Sequence, residues 1–302
     1  MRILLLLLLT FSCNLITEVP DPSYGLPELA SEERIKELNS KKRAKVMTPS
    51  VARKVQRVIE ALDEASILEE EQRLLKKEKK EKEANAKDPE IKRAIAKGQR
   101  ELDELKPRMD SLKSYDRSMI YYYQAYFNLA YQDKISEAML NYSKLVDEED
   151  TNDKLRVEAY YVLAQLELSE SDFDAGLNYL IKWFKNAPDV KPDAYVLLGQ
   201  AYYLLADQEK SKTKALNSKK KAFNNVRQAK RLAEEKNIRF RENWYSLLIA
   251  SMSELELKEE QVPYYEEILE LYPKKKYFVN LAGLYSDLDR PGDYTSLLKT
   301  AY

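Results

Sequence analysis

Several residue types that build catalytic and metal sites are rare or missing in this sequence of 302 residues. There is no histidine, the commonest general base and metal ligand in proteins. The only cysteine is Cys13, so disulfide frameworks and cysteine-rich zinc sites are excluded. The 6 glycines are scattered and form no phosphate-binding loop. We therefore expect no enzyme, no cofactor and no metal ion, although a catalyst built on carboxylates alone stays open.

The composition also has no excess of positive or negative charge. Lys and Arg number 50, against 51 for Asp and Glu, so no net field favours nucleic acid or an anionic membrane as a partner. With 44% hydrophobic residues, the length suits one large helical repeat array or two ordinary domains.

The first residues have the pattern of an export signal. Met1 and Arg2 precede an apolar run, Ile3–Phe11, which is too short to span a membrane as a helix. Residues 1–13 therefore predict a signal peptide, with two alternatives at its end: cleavage before Cys13 with lipidation of its sulfur, or ordinary cleavage. Residues 14–47, with Pro20, Pro22, Gly25 and Pro27, predict an extended tether and a short helix.

Residues 48–118 predict a long antiparallel helical hairpin. Thr48 and Pro49 form a helix start, and apolar residues then recur at alternating spacings of four and three. A break at Asn85–Asp88 separates two such helices, and Pro107 should kink the second. The charged arm is either a solvated helical extension or a coiled coil that binds a partner. The apolar seams are Val51, Val55, Val58, Leu62 and Ala65, then Ile91, Ile95, Gly98, Leu102, Leu105, Met109 and Leu112.

The segment Pro192–Tyr203 carries the most specific motif. Its Tyr195, Leu198, Gly199 and Tyr202 have the spacing of the first helix of a tetratricopeptide repeat (TPR), with a small residue where a partner helix must come close. Similar spacing recurs before and after it at about 34 residues. The recurrences are centred on Tyr122, Tyr160, Trp244 and Phe278.

These repeats predict the fold class: an all-α, TPR-type α-solenoid of about five repeats over 119–302, preceded by the hairpin as an atypical first repeat. A Lys-rich insertion of about 11 residues near 210–221 interrupts the third repeat.

The motifs together resemble a family of repeat proteins that accompanies TonB–ExbB–ExbD energy transduction in Gram-negative bacteria. The resemblance lies in P-D-A-Y-V-L-L-G-Q-A-Y-Y, R-E-N-W at Trp244, E-L-Y-P-K-K-K-Y-F-V-N-L-A-G-L-Y, and the segments Tyr161–Leu166 and Leu180–Phe184. It implies a non-enzymatic periplasmic scaffold that supports uptake by outer-membrane transporters. Partners of TonB, ExbB or ExbD type are implied, with outer-membrane anchoring if Cys13 is lipidated. An alternative is an envelope assembly factor or chaperone-like lipoprotein that handles outer-membrane or cell-wall proteins.

A protein-binding groove is expected on the first helices of the repeats. The residues one and five positions after each motif aromatic should face it, forming a mixed strip of tyrosine, glutamine and aliphatic side chains. An extended or apolar segment of a partner protein suits such a strip. The groove prediction comprises Tyr123, Phe127, Tyr131, Tyr161, Gln165, Leu168, Val196, Gln200, Tyr203, Tyr245 and Ile249.

Overall fold

The computed structural model describes residues 19–40 and 45–300. Within those ranges every regular element is helical, and the chain divides into two compact units. The signal peptide and Cys13 lie outside the described residues. Among the residues that are described, no helix combines the length and the apolar character needed to cross a membrane.

The N-terminal unit consists of residues 27–190. Apart from the first helix, each α-helix of this unit packs against the α-helix that follows it. Its elements are α1 (Glu32–Asn39), α2 (Pro49–Lys77), α3 (Glu81–Ala86), α4 (Asp88–Asp103), a 3-10 helix (Lys106–Ser111), α5 (Ser114–Tyr131), α6 (Ile135–Asp147), α7 (Asp153–Ser169) and α8 (Phe173–Phe184).

The C-terminal unit consists of residues 191–302 together with the segment that ends at Leu26. Its helices also pack in sequential order, which is the arrangement of an α-solenoid. The all-α solenoid prediction is confirmed by this stacking within each unit. The helices are α9 (Pro192–Gln208), α10 (Lys212–Glu235), α11 (Glu242–Ser253), α12 (Lys258–Leu271), α13 (Lys275–Asp287) and α14 (Pro291–Thr300).

The predicted hairpin is formed by α2 and α4, which run antiparallel. Near the tip, Lys87 Nζ lies 2.6 Å from a carboxylate oxygen of Glu71. Near the base, Lys54 Nζ lies 3.2 Å from Glu101. The apolar seam of α2 is buried through Ala65. Val51, Val55 and Val58 pack with Leu102, Leu105, Ile120 and Phe127 in one core cluster.

Two details of the hairpin differ from the sequence prediction. The chain reverses direction at 78–80, where Lys79 adopts a left-handed conformation with φ of 62°. The predicted break at Asn85–Asp88 is present, because α3 ends at Ala86 and α4 begins at Asp88, but it is not the point of reversal. Pro107 does not kink a helix, because α4 already ends at Asp103 and Pro107 lies in the first turn of the 3-10 helix. Met109 and Leu112 still pack against the core cluster from this irregular segment.

A buried carboxylate fixes the base of the hairpin to α5. Asp116 is 1% exposed and accepts hydrogen bonds from the Thr48 backbone N–H at 2.8 Å and the Thr48 hydroxyl at 2.5 Å. The Thr48 side chain therefore does not cap α2, although Thr48 is the residue that precedes its first turn.

The motif in α9 has the role that its spacing predicts. Tyr195, Leu198, Gly199 and Tyr202 are all buried. A Cβ atom on Gly199 would lie 2.5 Å from Val226 Cγ2 and 3.1 Å from the Ala222 carbonyl oxygen, both on α10. The Lys-rich insertion does not form a loop, because 212–221 is the first part of α10, a helix of 24 residues.

The predicted tether is partly held in place. Residues 14–18 lie outside the described residues, but the backbone from Pro20 to Gly25 is hydrogen-bonded to side chains of α10. Farther along, the Ala30 N–H donates to the Phe184 carbonyl oxygen at 3.1 Å. An extended, unattached tether is therefore the wrong description of these residues, because their backbone groups have specific partners.

A bidentate ion pair joins the start of α5 to the end of α6, and it makes stability depend on pH. Arg117 Nε and Nη2 donate to the two carboxylate oxygens of Glu148 at 2.6 and 2.7 Å. Burial alone would raise the pKa of Glu148, but hydrogen bonds from Arg117 and Ser114 outweigh it and lower that pKa. The pair therefore stabilises the fold above the unfolded-state pKa and is lost as pH falls through the lower folded-state pKa.

We expect Glu148→Gln to cost about 1–2 kcal/mol at pH 7, which is typical for losing hydrogen bonds to a charged group. The difference from wild type should shrink steadily as pH falls below about 4, the usual range of a glutamate in an unfolded chain. Urea denaturation at several pH values measures it. Glu70→Gln is the matched control, because it removes an equally short bidentate pair with Arg73 on the exposed surface of α2. Equal losses for the two variants would contradict this role of Glu148.

Candidate functional site

The residues predicted to line a groove fall into three groups by solvent exposure. Gln165 and Gln200 are exposed. Tyr123, Tyr131, Tyr161, Leu168 and Tyr203 are half-buried. The buried ones, which cannot present a side chain to a partner, are Phe127, Val196, Tyr245 and Ile249.

Phe127 is buried because the hairpin packs on that side of α5. A Cβ atom on Gly98 of α4 would lie 2.8 Å from the Phe127 ring, and Phe127 belongs to the core cluster with Val55 and Val58. Tyr123 and Tyr131 also pack against this cluster, with part of each side chain still exposed. The face of α5 predicted as groove is therefore mainly an internal packing face.

In the C-terminal unit, three of the predicted groove residues are buried for a similar reason. Tyr245 is 0% exposed and lies beside the Phe240 ring, with 4.9 Å between ring centroids, and below the Lys230 ammonium. Val196 on α9 and Ile249 on α11 are buried as well, and these two first helices contact each other.

The groove residues of α7 pack within their own helix pair. The Tyr161 ring lies 4.9 Å from the Trp183 ring of α8, between centroids. Leu168 covers Gly176, where a Cβ atom would lie 2.6 Å from Leu168 Cδ2. Both are partly exposed, so they border the surface of the α7–α8 pair without forming a strip on α7 alone.

One surface of the N-terminal unit, which includes two of the predicted groove residues, combines exposed and half-buried aromatic rings with carboxylates that form no ion pair among the described residues. We call it the tyrosine face: Tyr122, Tyr123, Tyr126, Tyr131 and Tyr142 with Asp63, Glu69 and Glu158. The rings of Tyr122 and Tyr123 lie 5.2 Å apart, and those of Tyr126 and Tyr131 lie 6.1 Å apart, between centroids.

The carboxylates of the tyrosine face come from the helices on either side of α5. Glu158 of α7 accepts a long hydrogen bond of 3.4 Å from the Tyr122 hydroxyl. Burial is the largest cause of the raised pKa of Tyr123 and of Tyr131, and the charges of Asp63 and Glu69 on α2 raise these two pKa values further. Within the described ranges, no lysine or arginine forms an ion pair with any of the three carboxylates, and all three are exposed.

Tyr122 and Tyr142 of this face have raised pKa values and stay protonated over the physiological pH range. Burial is the largest cause of the raised pKa of Tyr122, and the charge of Glu158 adds to it. The same two causes raise the pKa of Tyr142, which forms the buried floor, to about 12. These two hydroxyls are therefore neutral.

This arrangement suits one kind of ligand. Tyr126 is 39% exposed and Leu129, on the same helix, is 37% exposed, so apolar area is available beside the carboxylates. A cation over a tyrosine ring gains an electrostatic attraction, and an adjacent carboxylate adds to it. Apolar side chains interspersed with Lys or Arg would match the surface. Among the described residues, no group of three or more His, Cys, Asp or Glu side chains is placed to hold a metal ion.

Sequence reasoning missed Tyr126 and Leu129 because it took the helix register from the repeat motif. Successive residues of a helix are turned by about 100°, so choosing Phe127 instead of Tyr126 selects a different face. The run Tyr121–Tyr126 contains aromatic residues on several sides of α5, so hydrophobicity gives no ranking among them. The missing information was which side the hairpin covers.

Comparisons with known proteins give few matches. No family model matches the chain, and no curated protein sequence matches it. Among solved structures, the crystal structure of TTC0263, a thermophilic TPR protein in Thermus thermophilus, is similar with 17% sequence identity and a TM-score of 0.37. The match covers 58% of this chain and 84% of that chain.

Proposed function

We propose that this chain is a non-enzymatic scaffold of the helical-repeat type, which binds segments of other proteins through the tyrosine face. The observation that carries the proposal is the combination of exposed and half-buried tyrosine rings on α5 with exposed, unpaired carboxylates on α2 and α7. Three exposed carboxylates beside partly exposed rings add little to the stability of the free protein. A basic and apolar segment of a partner protein would cover both the charges and the rings.

We also propose a setting for this scaffold: the periplasm of a Gram-negative bacterium, in support of TonB-type energy transduction to outer-membrane transporters. The resemblance of the repeat motifs and the export signal support this setting. Lipidation of Cys13 would anchor the chain to the outer membrane, and the intact mass of the mature protein from an envelope fraction tests it.

A photo-crosslinking amino acid at position 126 tests the scaffold in its native host. We expect it to capture a defined partner, because Tyr126 is exposed and lies beside Tyr131 in the tyrosine face. The matched control is the same amino acid at position 294, because Tyr294 of α14 is similarly exposed, at 37%, and belongs to the other unit. Equal capture at both positions, or none at 126, would contradict the proposed surface.

The identity of the captured protein tests the setting separately. A TonB, ExbB or ExbD type component, or an outer-membrane transporter, would support energy transduction. An assembly factor or a cell-wall enzyme as the specific partner would support the scaffold and overturn the TonB setting. Tyr126→Ala should then weaken binding of the purified partner at least about ten-fold, as removal of a central interface tyrosine commonly does.

A further inference from the structure

The C-terminal unit contains a second, polar surface that already holds a peptide segment. Asn224 and Asn225 lie on α10 just after the Lys-rich insertion and are 1% and 0% exposed. The Asn224 side-chain amide donates to the carbonyl oxygens of Asp21 and Tyr24 at 2.7 and 2.8 Å. The Asn225 amide donates to the carbonyl oxygen of Gly25 at 3.1 Å. Arg227 lies farther from the Pro20 carbonyl oxygen, at 3.4 Å.

The bound segment is a compact turn. The Asp21 carboxylate accepts hydrogen bonds from the Ser23 N–H at 2.8 Å and the Ser23 hydroxyl at 2.6 Å, and the Tyr24 N–H donates to the Asp21 carbonyl oxygen at 3.0 Å. Asp followed by Pro favours such a turn. The turn therefore presents its carbonyl oxygens in a fixed arrangement to α10.

Gly25 closes the turn and sets its steric requirement. It adopts a φ of 75°, a conformation that side chains with a Cβ rarely take. A Cβ atom there would also lie 2.3 Å from Cγ of Lys221, whose stem covers the glycine. Lys221 is the last lysine of the insertion, and its ammonium lies 5.1 Å from the centre of the Tyr202 ring.

Two properties distinguish this contact from ordinary packing. Every hydrogen bond from the two asparagine amides to the segment goes to a main-chain oxygen, and the Asn225 amide donates in addition to the Lys221 carbonyl oxygen of α10 at 2.8 Å. The amides therefore recognise the shape of the turn and not its exposed side chains. The Asn225 side-chain oxygen is buried without a hydrogen-bond partner, so the acceptors of the site are not fully used by the present occupant. Pro22, Ser23 and Tyr24 of the turn are exposed.

We propose that the Asn224–Asn225 surface of α10 is a peptide-binding site for a turn of the pattern Asp-Pro-x-x-Gly, and that residues 20–25 are its own displaceable ligand. The site is separate from the tyrosine face and does not depend on it. Arg227 lowers the pKa of Asp21 after the larger effect of the Ser23 hydrogen bonds, so an acidic residue at the start of the turn is electrostatically favoured. The Lys-rich insertion then has a structural purpose: it supplies Lys221 as one wall of the site.

The test uses the full chain and a fluorescent peptide with the sequence of residues 19–26. Gly25→Val should release the chain's own segment, because valine is strained at a positive φ and its side chain would collide with Lys221. Chymotrypsin cleavage after Tyr24, followed by intact mass, should become at least ten-fold faster. Gly292→Val is the matched control, since a Cβ atom there has no heavy atom within 4 Å.

Peptide binding decides the proposal. The Gly25→Val chain should bind the peptide at least ten-fold more tightly than the wild-type chain, in which the tethered segment competes at high effective concentration. A peptide carrying the same Gly25→Val change should not bind, and adding Asn224→Ala to the variant chain should abolish binding of the wild-type peptide. A folded Gly25→Val chain that binds neither peptide, or both equally, would overturn the proposal.

A second measurement uses the wild-type chain alone, so it does not depend on whether a variant folds. The Leu26 N–H donates to the Ser23 carbonyl oxygen at 3.2 Å within the docked segment. A large excess of the peptide should displace the segment and speed hydrogen exchange at Leu26 several-fold. Unchanged exchange under saturating peptide would show that the segment is a fixed part of the fold and not a ligand.

Discussion

Gly199→Leu should destabilise the C-terminal unit by about 3 kcal/mol, at the upper end of the usual cost of overpacking a core. Even the Cβ atom would lie 2.5 Å from Val226 Cγ2, 3.1 Å from the Ala222 carbonyl oxygen and 3.3 Å from the Val226 nitrogen. Two of these three atoms belong to the backbone of α10, so relief requires α9 and α10 to separate. Urea denaturation followed by circular dichroism measures the loss.

The same chain provides a matched control for this substitution. Gly283 lies inside α13, and a Cβ atom there would have no heavy atom within 4 Å. Gly283→Ala should therefore stabilise the protein by up to about 1 kcal/mol through helix propensity alone. If Gly199→Leu melts like wild type, α9 and α10 do not approach each other at Gly199.

Lys230→Ala should produce the second large loss, about 2–3 kcal/mol. Lys230 is 7% exposed, and its ammonium lies 2.8 Å from a carboxylate oxygen of Glu267, with Glu234 as a second partner. The ammonium also lies 5.8 Å from the centre of the Phe240 ring. The substitution removes the charge and the packed stem, and breaking a largely buried pair costs more than breaking an exposed one.

The two carboxylate partners of Lys230 keep its ammonium group charged. Burial would lower its pKa, but the hydrogen bonds to Glu234 and Glu267 outweigh burial and raise it. Since the folded-state pKa of Lys230 is raised, the stability that its ion pairs contribute is fully present at neutral pH. That stability is lost only as pH rises through the folded-state pKa.

Lys258→Ala is the control for burial. Lys258 pairs with Asp287 at 2.7 Å, a similar distance, but their side chains are 54% and 57% exposed. We expect a loss below about 0.5 kcal/mol for this pair. Lys230→Met should fall between the two, because methionine keeps much of the stem over Phe240. A loss from Lys230→Ala as small as that from Lys258→Ala would show that the buried pair contributes no more than a surface one.

The sequence was sufficient for the helix pairs because the information was local. Spacing alone identified Tyr195, Leu198 and Gly199 as the packing face of α9, and the seam of Val51, Val55 and Val58 as the base of the hairpin. Helical periodicity and one small residue at the closest approach determine both features.

The candidate surfaces could not be predicted in the same way, because each depends on which distant segments of the chain cover which side chains. Phe127 and Tyr126 are adjacent and both aromatic, yet the hairpin covers the first and leaves the second exposed. The site on α10 depends on a contact between residues about 200 positions apart, Tyr24 and Asn224. Proline and glycine in the N-terminal segment indicated an irregular chain, but they carried no information about its binding surface.

The hairpin has a further consequence for how the protein opens. Its base is anchored by Val51, Val55, Val58 and the Asp116 carboxylate, whereas α2 has no buried residue beyond Ala65. In the outer part the buried apolar side chains belong to α3 and α4, Ala84 and Ile91, and polar contacts such as Gln72 with Asp88 and Lys87 with Glu71 add to them. Such a segment forms its own cooperative unit of low stability. Its tip can therefore fray and reclose many times during the lifetime of the folded base, and a partner that captures the frayed tip would leave the core undisturbed.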